Sequence, residues 1–332
     1  MEQQLPRQKD VHFATTAHGP LTGTLVKRNV GSLTVATEQQ HQPPKNSNMN
    51  TKPKLTIGMA TFDDFHGVYF SVQALRMYHS EVINDIEILV VDNNPDGTHG
   101  KAIRNLKGQA GINYIPFKEY QSTIVRNKIF ELASAPYVVS MDCHILFVPG
   151  SIKKLIDYYE QNPDTKDLLQ GPLLYDDLKT TSSHFNPVWR AQMYGIWAND
   201  DRAKDVNGEP FEIPMQGLGA FSAKKEHWLG FNPLFRGFGG EEGYIHEKYR
   251  QAGRKTLCLP FLRWVHRFGR PDGVKYVLTM ENKIRNYFLG SLELGLDISP
   301  IYDHFKEHMD EKKLWTILQT AKKDLKDHLS PV

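Results

Sequence analysis

Four short β-rich runs, Leu55–Ala60, Ile86–Asp92, Ile112–Ile115 and Tyr137–Met141, alternate with amphipathic stretches near Val68–Tyr78, Thr98–Lys107 and Gln121–Leu132. Strands that alternate with helices in this way predict an α/β fold built on a mostly parallel sheet, and the first such half reads as a nucleotide-binding unit. A helix is expected over Ser151–Gln161, followed by the apolar run Leu168–Leu174. The polar, aromatic-dotted segment Tyr175–Glu212 is too long for an ordinary connection and is expected to hold an inserted helix or a substrate loop. A helix from Glu241 to Ala252 and a strand near Lys255–Leu259 come next. Beyond Gly273 the period is helical, with Leu314, Leu318, Ala321, Leu325 and Leu329 mostly on one face, so these helices are expected to pack on the core.

Residues 1–53 are rich in Gln, Asn, Thr, His and Lys and read as a mostly disordered tail, with enough Val, Leu and Thr between His12 and Thr37 for a short hairpin. Lys and Arg number 40 against 38 Asp and Glu, a formal charge of +2, so nothing global draws the chain to nucleic acid or an anionic membrane. Phosphate binding would have to be local. Cys143 and Cys258 are too few for a disulfide framework and have no zinc-type spacing. With no apolar run near the length of about 20 residues that spans a bilayer and no apolar leader, a soluble, cytoplasmic protein is expected.

The sharpest local signal is Ser140-Met141-Asp142-Cys143-His144 after an apolar strand. In extended chain Asp142 and His144 share a face, and such a pair at a strand end can hold a divalent ion, with the imidazole favouring Mn²⁺ over Ca²⁺. The same residues also suit a turn-capping Asp beside a packed His. A second cluster, Phe238-Gly239-Gly240-Glu241-Glu242-Gly243, opens a helix after a Gly-rich turn. Gly239 and Gly240 let the backbone approach a sugar or diphosphate, and the acids sit where an acceptor could be activated, although acids in a first turn also complement the helix dipole. A third cluster, Arg263-Trp264-Val265-His266-Arg267-Phe268-Gly269-Arg270, offers one more imidazole and two guanidinium groups, Arg267 and Arg270, that could neutralise a departing diphosphate. A solvated basic loop with a packed histidine is the alternative. Trp189, Trp197 and Trp228 could stack on sugars or belong to the core; Trp228, just before the Gly-rich loop, is the candidate floor of an acceptor site.

From Leu55 to Arg270 the order of these pieces resembles the GT-A glycosyltransferases, especially family 2 and the polypeptide GalNAc-transferase-like branch. Leu55-Thr56-Ile57-Gly58-Met59-Ala60-Thr61-Phe62-Asp63-Asp64 looks like that family's first strand and nucleotide loop, Ile88-Leu89-Val90-Val91-Asp92-Asn93-Asn94 like its second strand, and Ser122-Thr123-Ile124-Val125-Arg126-Asn127 like its helix with an Arg-Asn pair. The resemblance implies a GT-A catalytic domain over 54–272, with a nucleotide-sugar half 54–150 and an acceptor half 151–272, and a helical extension 273–332. It implies a metal set of Asp142, His144 and His266 for Mn²⁺ or Mg²⁺. It implies donor contacts from Thr61, Asp63, Asp92, Arg126, Asp142, Gly239, Gly240, Arg267 and Arg270, with UDP as nucleotide and, by analogy with GalNAc-transferases, a HexNAc sugar. Where inverting relatives carry Gly-Glu-Asp this chain has Glu242 in the second acid's place, which favours inversion with Glu242 as base and Glu241 on a sugar or acceptor hydroxyl. Transfer to a glycan, lipid-linked or protein acceptor is expected. A retaining transferase, a nucleotidyltransferase and an inactive binding module are the rivals. The acidic Asp63-Asp64 after the first strand argues against the second, and the acids and histidines together argue against the third.

Overall fold

The computed structural model describes residues 52–267, 269–270 and 273–330. The expected N-terminal tail and its hairpin fall, but for its last two residues, outside the described part. The first half is β1 (Leu55–Thr61), α1 (Phe65–Tyr78), β2 (Ile86–Asp92), α2 (Gly100–Ala110), β3 (Asn113–Pro116), α3 (Val125–Leu132) and β4 (Tyr137–Asp142). After it come β5 (Ile145–Phe147), α4 (Ser151–Gln161), β6 (Leu168–Gln170), β7 (Leu173–Leu174), β8 (Thr181–Ser182), β9 (His184–Arg190), β10 (Met193–Ala198), β11 (Phe211–Glu212) and β12 (Ala220–Lys224). The chain closes with α5 (Glu241–Gln251), β13 (Thr256–Cys258), β14 (Trp264–His266), α6 (Met280–Glu293), α7 (Ser299–Phe305) and α8 (Glu311–Leu329).

Eight strands form one sheet in the order β11-β13-β6-β12-β4-β1-β2-β3. Strands β4, β1, β2 and β3 are parallel, and β12 joins β4 antiparallel, so the sheet is mixed. Leu55, Ile57 and Met59 of β1 and Ile88 and Val90 of β2 face α1 and α2, whereas Leu89 and Val91 face the side of α3, α5, α6 and α8. Burial on both faces is why these strands read as largely apolar runs, broken near their starts by Thr56 and Glu87. Gly58 lies on the second face, where a Cβ would overlap Ile129 of α3; the glycine lets that helix close on the strand.

Two expectations change. The segment 175–212 holds no α-helix: it forms β8, the two-stranded hairpin β9–β10, a 3-10 turn over Asp201–Lys204 and β11. Pro187 sits within β9, as the two-stranded pairing allows. Helix α3 begins at Val125 rather than Gln121, because Ser122 and Thr123 are drawn to the Gly-rich loop: Thr123 N donates to Gly237 O at 3.0 Å and Ser122 Oγ to Phe235 O at 3.1 Å. In α8, Leu314, Leu318 and Ala321 are buried, while Leu329 is 71% exposed.

Candidate active site

Parallel pairing places Thr61 beside Asp92 and Ala60 beside Asp142, so the carboxyl ends of β1, β2 and β4 share one edge of the sheet. Asp142 Oδ1 accepts from Arg126 Nη2 at 2.8 Å, and the 7%-exposed Arg126 also lies 3.7 Å from Glu241 Oε1. Antiparallel β5–β14 pairing sets His266 opposite Ile145, which returns its ring to the strand end that carries Asp142. His144 Nε2 and His266 Nε2 then lie 3.9 and 3.8 Å from Asp142 Oδ2, with the two rings nearly perpendicular at 4.8 Å. Burial pushes the Asp142 carboxyl up, but Arg126 and both histidines outweigh it, and the group stays well below the usual carboxylate range. Burial lowers His144, only partly offset by its bond to Asp64, so its imidazole is neutral and able to donate a lone pair.

Across the cleft, Gly239 and Gly240 take φ of 96° and 91°, left-handed values that favour glycine, and Gly240 caps α5. The turn delivers Glu241, 4% exposed, and the half-buried Glu242 into the same cavity, about 290 Å³ in volume. Burial raises both carboxyls, and for Glu241 the charge of Glu242 adds to the rise. From α6, Asn286 holds the turn: its Nδ2 donates to Arg236 O and Gly239 O, each at 2.9 Å, and its Oδ1 accepts from Arg236 N at 3.0 Å.

The family described as "Glycosyl transferase family 2" matches residues 42–218, more than half of the 332-residue chain. The chain belongs to glycosyltransferase family 2. Among solved structures, a crystal structure of GalNAc-T7 with UDP, GalNAc and Mn²⁺ superposes over 80% of the chain with a TM-score of 0.56 at 14% identity. That likeness establishes the GT-A fold alone, and the chain spans 56% of that structure's length. Among curated proteins nothing matches. The family match ends before Glu241, Glu242 and His266, so those residues stand on geometry.

In this family 2 glycosyltransferase the cavity is lined by Thr61, Arg126, Asp142, His144, Gly239, Glu241, Glu242, His266 and Arg270. Five expected site residues do not line it. Asp63, in a left-handed conformation (φ 55°), accepts from His99 N at 2.6 Å and fastens the loop after β1. Asp92 is fully buried, accepting from Tyr114 Oη at 2.9 Å and Asn94 N at 3.0 Å, and the neighbouring Asn93 reaches the cavity instead. Gly240 faces a second cavity, behind the α5 terminus. The Arg267 guanidinium lies over the Phe70 ring at 5.7 Å, on the α1 side. Trp228 is a core residue: its ring stacks on Phe130 at 4.2 Å and 8°, and Nε1 donates to Asn127 Oδ1 at 3.0 Å. Of the tryptophans weighed as sugar platforms, Trp197 lines the cavity.

Sequence reasoning missed Asp64, Tyr276 and Lys283. Asp64 Oδ2 lies 3.2 Å from His144 Nδ1 and orients that ring. Tyr276 stacks on Phe238 at 4.0 Å, closing one side of the mouth. The second acid of Asp63-Asp64 was a readable signal for the first; Lys283 and Tyr276 come from the helical extension and carry no local motif. None of the described helices is long and apolar enough to cross a membrane.

Proposed function

We propose that this glycosyltransferase takes a sugar, of the HexNAc class, from a UDP-sugar in a Mn²⁺- or Mg²⁺-dependent reaction and passes it to an acceptor hydroxyl with inversion. The observation that carries the reading is the convergence of Asp142, His144 and His266 on one wall of a cavity whose other wall presents Glu241 and Glu242. An ion bonded at roughly 2.1–2.3 Å to each of three donors requires donor separations below about 4.5 Å. The two separations from Asp142 Oδ2, 3.8 and 3.9 Å, meet that, all three donors lie within 4.8 Å of one another, and one carboxylate with two imidazoles suits a transition ion. Asp142, His144 and His266 would hold such an ion, which would supply positive charge against the leaving diphosphate.

The chain's own groups do the rest. Thr61 and Asn93 line the strand ends where the nucleotide would lie, and Arg270 and Lys283 add positive charge for the leaving diphosphate. Glu241 faces Arg126 and is held by it, which suits binding rather than proton transfer. Glu242 is the more open acid, and a carboxyl raised by burial is a better base near neutral pH. It would take the acceptor hydroxyl's proton as that oxygen attacks the anomeric carbon from the face opposite the diphosphate.

Calorimetry with a panel of UDP-sugars, in Mn²⁺ or in EDTA, tests the donor site on wild type and Asp142→Ala. Binding of one UDP-sugar that needs the ion and is lost in the variant is expected; no binding of any nucleotide sugar with either ion would reject the assignment. The anomer of the product, read by NMR, tests inversion.

A further inference from the structure

Beside the Asp142 set lies a second, tighter group of donors. His144 Nδ1 is 3.2 Å from Asp64 Oδ2, Cys143 Sγ is 3.6 Å from the same oxygen, and Sγ and Nδ1 are 3.7 Å apart. A tetrahedral ion with zinc's usual bonds, about 2.0–2.1 Å to oxygen or nitrogen and 2.3 Å to sulfur, has edges of roughly 3.3–3.6 Å between such donors. The three edges match within about 0.2 Å, whereas those of the Asp142 set are longer at 3.8 and 3.9 Å. Thiolate, imidazole and carboxylate together select zinc over Mg²⁺ or Mn²⁺. The donors are fixed in advance. Asp64 Oδ1 accepts from Gly67 N at 2.8 Å at the start of α1, and Ser71 Oγ of the same helix bonds the Cys143 and Ile145 carbonyls at 2.8 Å each. All three residues line the cavity.

The geometry points to a zinc site at Asp64, Cys143 and His144 that competes with the Asp142, His144 and His266 set for one imidazole. A neutral imidazole has a single lone pair. Arg270 Nη2 lies 2.8 Å from His144 Nε2 and can only donate, so Nε2 accepts and Nδ1–H donates to Asp64. In that tautomer the one lone pair sits on Nε2, the nitrogen 3.9 Å from Asp142 Oδ2, where an ion in the Asp142 set would displace the Arg270 guanidinium. Zinc on Nδ1 sends that proton to Nε2, so the Arg270 guanidinium, which can only donate, must release Nε2; the Cys143 thiol proton goes to solvent, and the zinc–sulfur and zinc–nitrogen bonds form. Nε2 then has no lone pair, and the neighbouring set keeps only Asp142 and His266. Zinc binding stands on these distances alone; the competition rests on the donor site proposed above.

Cobalt titrated into the full chain, then displaced by zinc, reads the site directly through the thiolate-to-cobalt charge-transfer band. Cys258 is packed among Ala203, Phe211 and Ile213 outside the cavity, so the band reports Cys143. The band and near-unit zinc stoichiometry are expected in wild type, Cys258→Ser and His266→Ala, with zinc affinity lower by about tenfold or more in Cys143→Ser and Asp64→Asn. The asparagine keeps the α1 cap, so loss of zinc there is not loss of the helix. A missing band in wild type, or zinc held equally by Cys143→Ser, overturns the site. Calorimetry of UDP with Mn²⁺ is expected to fail once zinc is bound; undiminished binding overturns the competition. A chain that takes zinc through Cys143 but never binds UDP with Mn²⁺ refutes the donor site and leaves the zinc site standing.

Discussion

Arg126 sits between Asp142 and Glu241 and is the shared counter-charge of the two walls. Removing it strands buried carboxylates, so Arg126→Met is expected to cost about 3 kcal/mol at neutral pH, measured by urea unfolding. The sign with pH follows from Asp142, whose folded pKa is depressed: its contribution is present above the unfolded value of about 3.9 and lost as pH falls through the folded one. Without Arg126 much of that contribution is already gone, so the gap between wild type and variant should narrow in acid; a gap that widens there would show that Arg126 acts by packing alone. Glu242 makes the opposite demand. Its carboxyl is raised by burial and must be ionised to act as base, so kcat/KM should climb with pH through a value above the ordinary Glu range near about 4.3. Glu242→Gln should remove that limb and lower kcat about 10²–10⁴-fold with donor binding retained; a variant that keeps both rate and limb would assign the base elsewhere.

At the scale of elements, the site depends on how closely α3 sits on β1. At Gly58 a Cβ would overlap Ile129, so Gly58→Ala should push out the helix that carries Arg126. A loss of about 1–3 kcal/mol in urea unfolding, with weaker donor binding by calorimetry, is expected. Gly58 also shows what the sequence discloses. A glycine inside an apolar run could be read as a close approach, and the run itself as a strand, because both faces are buried and Thr56 alone breaks its apolar character before Thr61. The pairing of β5 with β14 could not be read. His266 reaches Asp142 only because Ile145 and His266 share a register across 121 residues of chain, and three-residue strands leave too short a period to detect. The hairpin β9–β10 escaped for a related reason: Pro187 argues against a strand unless the pairing is known to be two-stranded. Position before the Gly-rich loop favoured Trp228 over Trp197 in sequence, yet packing against Phe130 makes Trp228 the core ring and Trp197 the one that lines the cavity.

Taken as a whole molecule, the wall that carries Glu241 and Glu242 is held from outside the segment that defines the family. The family match stops at residue 218, yet Asn286 of α6 grips the turn that presents Glu241 and Glu242, and Lys283 of the same helix lines the cavity. Helix α6 is in turn fixed to α8: Arg285, 4% exposed, donates through Nε to Asp324 Oδ2 at 3.2 Å, and Arg236, just ahead of the turn, reaches the same oxygen at 2.9 Å. One carboxylate thus bridges two guanidinium groups, one of them buried, and its removal leaves that buried charge unpaired. Asp324→Ala should therefore cost on the order of 3 kcal/mol in urea unfolding and raise KM for the donor, although Asp324 does not line the cavity. Asn286→Ala separates the two effects. It removes neutral hydrogen bonds worth about 1 kcal/mol each while releasing the turn itself, so it should harm kcat and KM more than Asp324→Ala for a smaller loss of stability. If instead activity in both variants simply tracks unfolding, the helices only add stability, and the turn is shaped by its own glycines.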